Sequence, residues 1–490
     1  MSTFCPRANM ISRLKRTTPA SHTVLLAASL VMAADPAIAA GRPLDLPPPL
    51  ELNLAADVCE MPPTLTGLSL REAVQVALCR TPDVHQATIA IEENAANLDA
   101  ANAKYLPTLN ADADASRIGK HVKYPAHPAG NYDLHAYSGN ARLGLNWLLF
   151  DSGERNAQYD NAHAKLSAAL YNKVLVNRDR AITVADSYYK ARSAIASATA
   201  AREAAARAQK NFHATQRLRE GGVGSIADEL LAKVAWQRHL VDTETKTTAA
   251  EVTKIALITA IGLPSQTRLS LAAANNTPAA IAAEAPATNP STANEHIASA
   301  IRNHPRLAAA RANTQAAEAE SKAIAAQHLP KVSLQADRRL GITPPANAVA
   351  RENVNSWSVG LTVHIPIFDG NATRYATDAA RSRTRAARET ERAVWLEEGR
   401  KLLTDFNHMT SAAQKAALLK DAKASAEQAY RSAEIRYQQG VGTVVELLKA
   451  QDELASVEQA AIDVHYELLA AQFRVAVALD TLPPDQLGDH

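Results

Sequence analysis

Gly222-Val223-Gly224 recurs as Gly440-Val441-Gly442, 218 positions later (440 − 222), and both copies interrupt long alanine-rich helical patterns. Each upstream pattern, from about Glu154 to Arg219 and from about Ala372 to Gln438, predicts a helix roughly 100 Å long at about 1.5 Å per residue. A return helix is predicted from about Ser225 to Ile261 and from about Thr443 to Leu479. Helices of that length do not fit a compact domain. They need neighbours along their whole length, and alanine lets those neighbours approach. Composition agrees: 47% of residues are hydrophobic but only 4% aromatic, so much of the apolar content is small.

Other landmarks repeat in the same order. Pro82 and Pro305 are 223 apart (305 − 82), as are Pro107 and Pro330, within "RTPDV"/"NHPRL" and "AKYLPTL"/"AQHLPKV". Phe150 and Phe368, in "LLFDSG" and "PIFDG", return to the 218 offset (368 − 150). The chain is therefore a duplication, 68–270 and 295–482, joined by an Ala-, Pro- and Asn-rich linker at 271–294 and followed by a tail at 483–490.

Within each half the periodicity changes twice. Helical patterns from about Leu70 to Tyr105 and from Glu295 to His328 end at Leu-Pro, where proline removes a donor and disfavours helix before it. Alternation of period two follows, predicting strands at about 106–118, 138–150, 331–340 and 355–368. Leu109, Ala111, Ala113 and Ala115 share one face, as do Ala141, Leu143, Leu145 and Trp147, then Val332, Leu334 and Ala336, then Trp357, Val359, Leu361, Val363 and Ile365. The opposite faces are polar. A soluble sandwich shows the same alternation. If the strands enter a membrane, four cannot close a barrel, and open edges cannot face lipid, so the chain must oligomerise. Trp147 and Trp357, read as near-equivalent strand ends, suit an interfacial aromatic belt or ordinary packing. Asp151 or Ser152, and Asp369, are expected to cap the long helices.

The N-terminus reads as an export signal over 1–39. Arg13, Lys15 and Arg16 precede "TVLLAASLVMAA", and small residues place cleavage after Ala39, with Met10 an alternative start. Residues 40–67 then form an N-terminal periplasmic segment. The remaining cysteines, Cys59 and Cys79, are expected to pair in an oxidising compartment. No later stretch has the roughly 20 uncharged apolar residues of a membrane helix. With 52 basic and 50 acidic residues, the balance gives no sign of a nucleic-acid partner.

Together "LSLREAVQVALCRTPDV", the two Leu-Pro junctions, "LLFDSG", "PIFDG" and "RYQQGVGTVVELLKAQDEL" resemble the TolC family of outer-membrane efflux channels, from about Leu68 to Leu482. The resemblance implies a mainly α fold with a β-barrel part: a homotrimer whose twelve-stranded barrel in outer-membrane lipid continues as a periplasmic helical tunnel. It also implies partners, a periplasmic adaptor and an inner-membrane transporter. The cysteine pair and the missing lipid-attachment site resemble the type I secretion branch. The glycine breaks would be the periplasmic tips, with Gly222, Gly224, Ser225, Gly440, Gly442 and Thr443 meeting the adaptor. Tyr437 matches a family tyrosine that holds the entrance shut. Glu446 and its repeat counterpart Asp228 (446 − 218) would ring the mouth with carboxylates, and Lys449 replaces a second acid found in some relatives. A solvated first helical turn is the plainer reading of both acids.

No HExxH, GxSxG, phosphate loop or CxxC is present, so neither catalysis nor a cofactor is expected. His121, His127 and His135 read as an outer loop rather than a metal site. The rival class is a soluble periplasmic adaptor or scaffold, which would carry one helical hairpin and compact β domains instead of this doubled pattern.

Overall fold

The computed structural model describes residues 66–123, 131–272, 298–343 and 352–479. The signal segment, Cys59, residues 273–294 of the linker, His127 and the tail lie outside these residues, and with Cys59 the expected disulfide. Cys79 sits partly buried on the first helix.

A short strand β1 (Thr66–Leu68) leads into α1 (Leu70–Arg80) and α2 (Pro82–Ala103). The sequence pattern reads as one helix here. Thr81 adopts an extended conformation ahead of Pro82, which cannot donate to the preceding turn, so the helix breaks and restarts with proline at its first position. Ser69 and Glu72 form a reciprocal capping box at the start of α1. Then come β2 (Thr108–Val122), β3 (Tyr132–Phe150), α3 (Glu154–Glu220), α4 (Ile226–Ala260) and β4 (Ser270–Leu271). The second half has a helical turn at 298–302, then α5 (Pro305–Ala326), β5 (Lys331–Thr343), β6 (Glu352–His364), α6 (Ala372–Gln438) and α7 (Val444–Leu479). Both long helices have 67 residues. β6 ends before Ile365 because Pro366 lacks the donor that a ladder requires.

The four long strands form one antiparallel sheet in the order β2-β3-β5-β6, so the two hairpins pair across the duplication through β3 and β5. Its apolar face, including Leu109, Leu143, Val359 and Leu361, is exposed. Trp147 and Trp357 are not equivalent. Trp147 stands at the helix end of β3 and donates to the Tyr105 carbonyl at 2.9 Å, whereas Trp357 is exposed towards the loop end of β6.

The sheet-to-helix junctions use aspartate in a different register from the expected cap. Ser152 and Asn371 take positive φ, as does Gly153, and the chain turns sharply. Asp151 accepts from the Arg155 backbone N–H at 2.8 Å, and Asp369 from Thr373 at 2.9 Å. Ser152 Oγ instead donates to the Pro330 carbonyl at 2.8 Å, tying the halves together.

The largest apolar cluster lies at mid-helix, where Val184, Tyr188 and Tyr189 of α3 meet Leu68, Val74, Leu257, Ile261 and Phe473. A parallel β1–β4 pair, absent from the sequence reading, closes over it. Elsewhere the helix interfaces are largely alanine, such as Ala198, Ala201, Ala204, Ala205 and Ala208 on α3.

Candidate functional site

The helix ends remote from the sheet carry two turns of one geometry. Gly222 (φ 77°) and Gly440 (φ 75°) occupy the left-handed region that glycine enters without a Cβ penalty. The next amide reaches back five residues in each case: Val223 N–H to Leu218 O and Val441 N–H to Arg436 O, both 3.0 Å. Gly222 to Arg219 and Gly440 to Tyr437, again 3.0 Å, complete a Schellman motif at both tips. Gly224 and Gly442 lie so close to the preceding turn that a Cβ on Gly224 would stand 2.8 Å from Arg219 N.

Each return helix has its own cap. Ser225 Oγ accepts from Ala227 N–H at 3.1 Å. Thr443 Oγ1 accepts from Glu446 N–H at 3.2 Å while the Glu446 carboxylate accepts from Thr443 N–H at 3.4 Å. Glu446 therefore has a local task as a capping-box residue, and its side chain remains exposed. Val223 and Val441, which usually fold back onto the helix in this motif, are instead 83% and 66% exposed, flanked by exposed Ile226 and Val445.

Tyr437 is buried with Tyr430, Val444, Leu447 and Leu454. Burial raises the pKa of its hydroxyl, and the nearby Asp228 charge raises it further. The structure thus brings Tyr437 and Asp228, from opposite halves of the duplication, within electrostatic reach. Glu446 and Lys449 are exposed on α7.

A polar seam joining α3 to the second-repeat hairpin was not read from the sequence. Asn211 donates to Gln451 Oε1 at 2.6 Å and to the Tyr430 hydroxyl at 3.3 Å, and all three side chains are buried. Arg207–Glu458 (2.5 Å), Ser197–Gln459 (2.7 Å), Ser193–Asp463 (3.0 Å) and Asp186–Arg474 (3.2 Å) continue it towards the mid-helix cluster. His239 of α4 reaches Asp452 of α7 at 3.2 Å. The sequence signal was a polar residue on an otherwise small-residue stripe, which a solvated face also produces.

No group of three or more His, Cys, Asp or Glu side chains suited to a metal ion occurs among the described residues. His121 and Asp133 pair directly across the β2–β3 ladder near its loop end.

A family profile described as "Outer membrane efflux protein" matches residues 73–263 and 296–480. Protein CyaE of Bordetella pertussis is 28% identical over 427 residues, covering 85% of this chain and 84% of that protein. The pyoverdine export outer membrane protein OpmQ of Pseudomonas aeruginosa is 25% identical over 437 residues, covering 87% and 88%. Among solved structures, CusC superposes with a TM-score of 0.73 at 18% identity, covering 84% of this chain and 91% of that one. The outer membrane protein VceC of Vibrio cholerae gives 0.69 at 17% identity, covering 84% and 95%.

Proposed function

The chain belongs to the outer membrane efflux protein family, a family of outer-membrane channels and not enzymes, and from that premise we propose that it is the passive exit duct of a tripartite efflux or type I secretion system. Three copies of the four-stranded sheet would close a twelve-stranded barrel (3 × 4), burying both sheet edges and turning the apolar face to lipid. The six long helices of the trimer would extend roughly 100 Å into the periplasm as a tunnel.

The observation that carries this reading is the pair of matched tips. Two capped turns with outward-pointing valines stand at the end of the molecule farthest along the helices from the apolar sheet. Gly222, Gly224 and Ser225, with Gly440, Gly442 and Thr443, would present small side chains and exposed backbone to the hairpins of a periplasmic adaptor, itself bound to an inner-membrane transporter. Tyr437 would act as a strut between the hairpins, with Asp228 and Glu446 setting a negative potential at the mouth.

Membrane fractionation with seminative electrophoresis tests the proposal. A heat-modifiable trimer band in the outer-membrane fraction, with stable conductance steps in planar bilayers, is the expected result. Release by osmotic shock as a non-conducting protein would sink it and favour the soluble-scaffold alternative.

A further inference from the structure

The apolar face of the sheet carries two arginines where alternation calls for apolar side chains. Arg117 on β2 and Arg338 on β5 share the parity of Leu109, Leu143 and Leu334, and both are exposed. Each stands directly across the ladder from an aromatic ring: Arg117 opposite Tyr137, Arg338 opposite Trp357. The Arg117 guanidinium lies 5.8 Å from the centre of the Tyr137 ring. Tyr137 is 71% and Trp357 77% exposed.

All four residues stand five positions from the loop end of their strand: 122 − 117, 137 − 132, 343 − 338 and 357 − 352. The two pairs lie on different hydrogen-bond rows, yet strands tilted in a barrel place rows of different register at one depth. An arginine on the lipid face costs about 2–4 kcal/mol at the bilayer midplane and about 0–1 at the interface. In the barrel proposed above, that shared depth is the membrane boundary: loopward of it the outward face carries His121, Asp133, Asn353 and Asn355 on three strands, while β5 adds Leu340 and Ile342. It is the boundary on the loop side, away from the helices. The inward face resolves its charges differently, with Arg142 and Asp337 within 3.9 Å of each other. On the outward face, Asp133 lies four positions nearer the loop than Tyr137 (137 − 133) and is engaged by His121.

We propose that Arg117–Tyr137 and Arg338–Trp357 form a girdle that binds the phosphate groups of outer-leaflet lipids, an inference that rests on the barrel reading above. A planar guanidinium pairs with phosphate in a bidentate manner, and an adjacent ring holds it at headgroup depth. The partner is a phosphorylated lipid because the girdle faces acyl chains below and headgroups above.

The test uses the purified full-length protein in phosphatidylcholine vesicles doped with bisphosphorylated lipid A or its dephosphorylated form. Lipid retained after detergent extraction is quantified by mass spectrometry. Wild-type protein is expected to retain the phosphorylated form preferentially. R117Q and R338Q should each lower that preference about fivefold, matching about 1 kcal/mol per basic side chain at a membrane surface. Both should keep wild-type insertion and the heat-modifiable oligomer. R142Q, on the inward face, should leave the preference unchanged. A double variant R117Q/R338Q with wild-type preference would overturn the girdle, as would an equal loss in R142Q. Full displacement of the lipid by inorganic phosphate would also overturn it, making the site one for the free ion. Wild-type protein that enters neither kind of vesicle removes the barrel reading, and the girdle with it.

Discussion

Asn211→Ala tests whether the buried polar seam holds the two helical hairpins of a protomer together. Asn211 is about 16 Å from Gly222 along α3 at about 1.5 Å per residue, close enough to govern the tip. The substitution removes the 2.6 Å bond to Gln451 and the 3.3 Å bond to Tyr430. Gln451 is 0% exposed and its Nε2 already lacks a partner, so the whole amide is stranded. A net bond of about 1 kcal/mol plus an unpaired buried amide at about 1–3 kcal/mol gives a loss of about 2–4 kcal/mol per protomer. That shifts the engaged-to-separated ratio of the hairpins by roughly 30- to 900-fold in each protomer. In planar bilayers the variant is expected to open more often and to larger steps, with a lower melting temperature. Asn211→Ala with Gln451→Met, which removes both polar ends, should recover at least half the lost stability, since an apolar pair avoids the stranded amide. Wild-type conductance and melting in the single variant would refute the reasoning. A double variant no better than the single one would show that shape, not the amide, was lost.

Glu446→Gln should keep the capping box, because an amide oxygen accepts from Thr443 as the carboxylate does. Stability should hold within about 0.5 kcal/mol while cation over anion permeability falls in reversal-potential measurements, and an unchanged ratio would remove Glu446 from the mouth. Gly222→Ala and Gly440→Ala place a Cβ at positive φ and should each cost about 1–2 kcal/mol by thermal unfolding. A loss of adaptor capture in pull-downs is expected alongside. His304 lies beside Glu398, and its pKa is held down to about 4, chiefly by burial and then by Arg178, Arg306 and Lys401. The unfolded chain binds this proton more readily, so stability is intact above about pH 6.5 and declines as pH falls towards about 4, by about 3 kcal/mol in all. His304→Gln should flatten that part of the unfolding pH profile.

The sequence revealed whatever depended on backbone periodicity and punctuation. Leu-Pro junctions, alternating strands and paired glycines announced the order of the long elements, because proline, glycine and period-two patterning act locally, although β3 starts at Tyr132 rather than at 138 and α5 at Pro305 rather than at Glu295. Three features escaped it. The breaks at Thr81–Pro82 and His304–Pro305 lie within helical periodicity that continues on both sides. β1 and β4 are three and two residues long, too short to show alternation, and their pairing joins positions about 200 apart. The polar seam was hidden because Asn211, Gln451 and Ser197 become interior only once the repeats pack. At the tip the glycines and caps were legible, whereas the proximity of Asp228 to Tyr437 needed the two hairpins side by side.

Repetition of the backbone does not extend to the chemistry of the tips. Phe212 stacks on Trp236 with ring centres 5.4 Å apart, and the positions 218 later, Tyr430 and Leu454, share one buried cluster. That equivalence keeps a bulky contact between the arms of each hairpin. Nearer the turn the halves part. Arg219 pairs with Glu229 in the first hairpin, whereas the corresponding Tyr437 and Leu447 (219 + 218 and 229 + 218) pack in an apolar cluster in the second. An ion pair that is partly exposed contributes little and is weakened by salt. An apolar contact with Leu447 only 1% exposed is insensitive to salt and stronger. The first hairpin is therefore the more easily loosened arm at the tip. Asn211 and Arg207 then matter for a definite reason: they sit on that arm and fasten it to the better-packed one. Duplication supplied two interchangeable hairpins, and divergence at these few positions made one of them the anchor for the other.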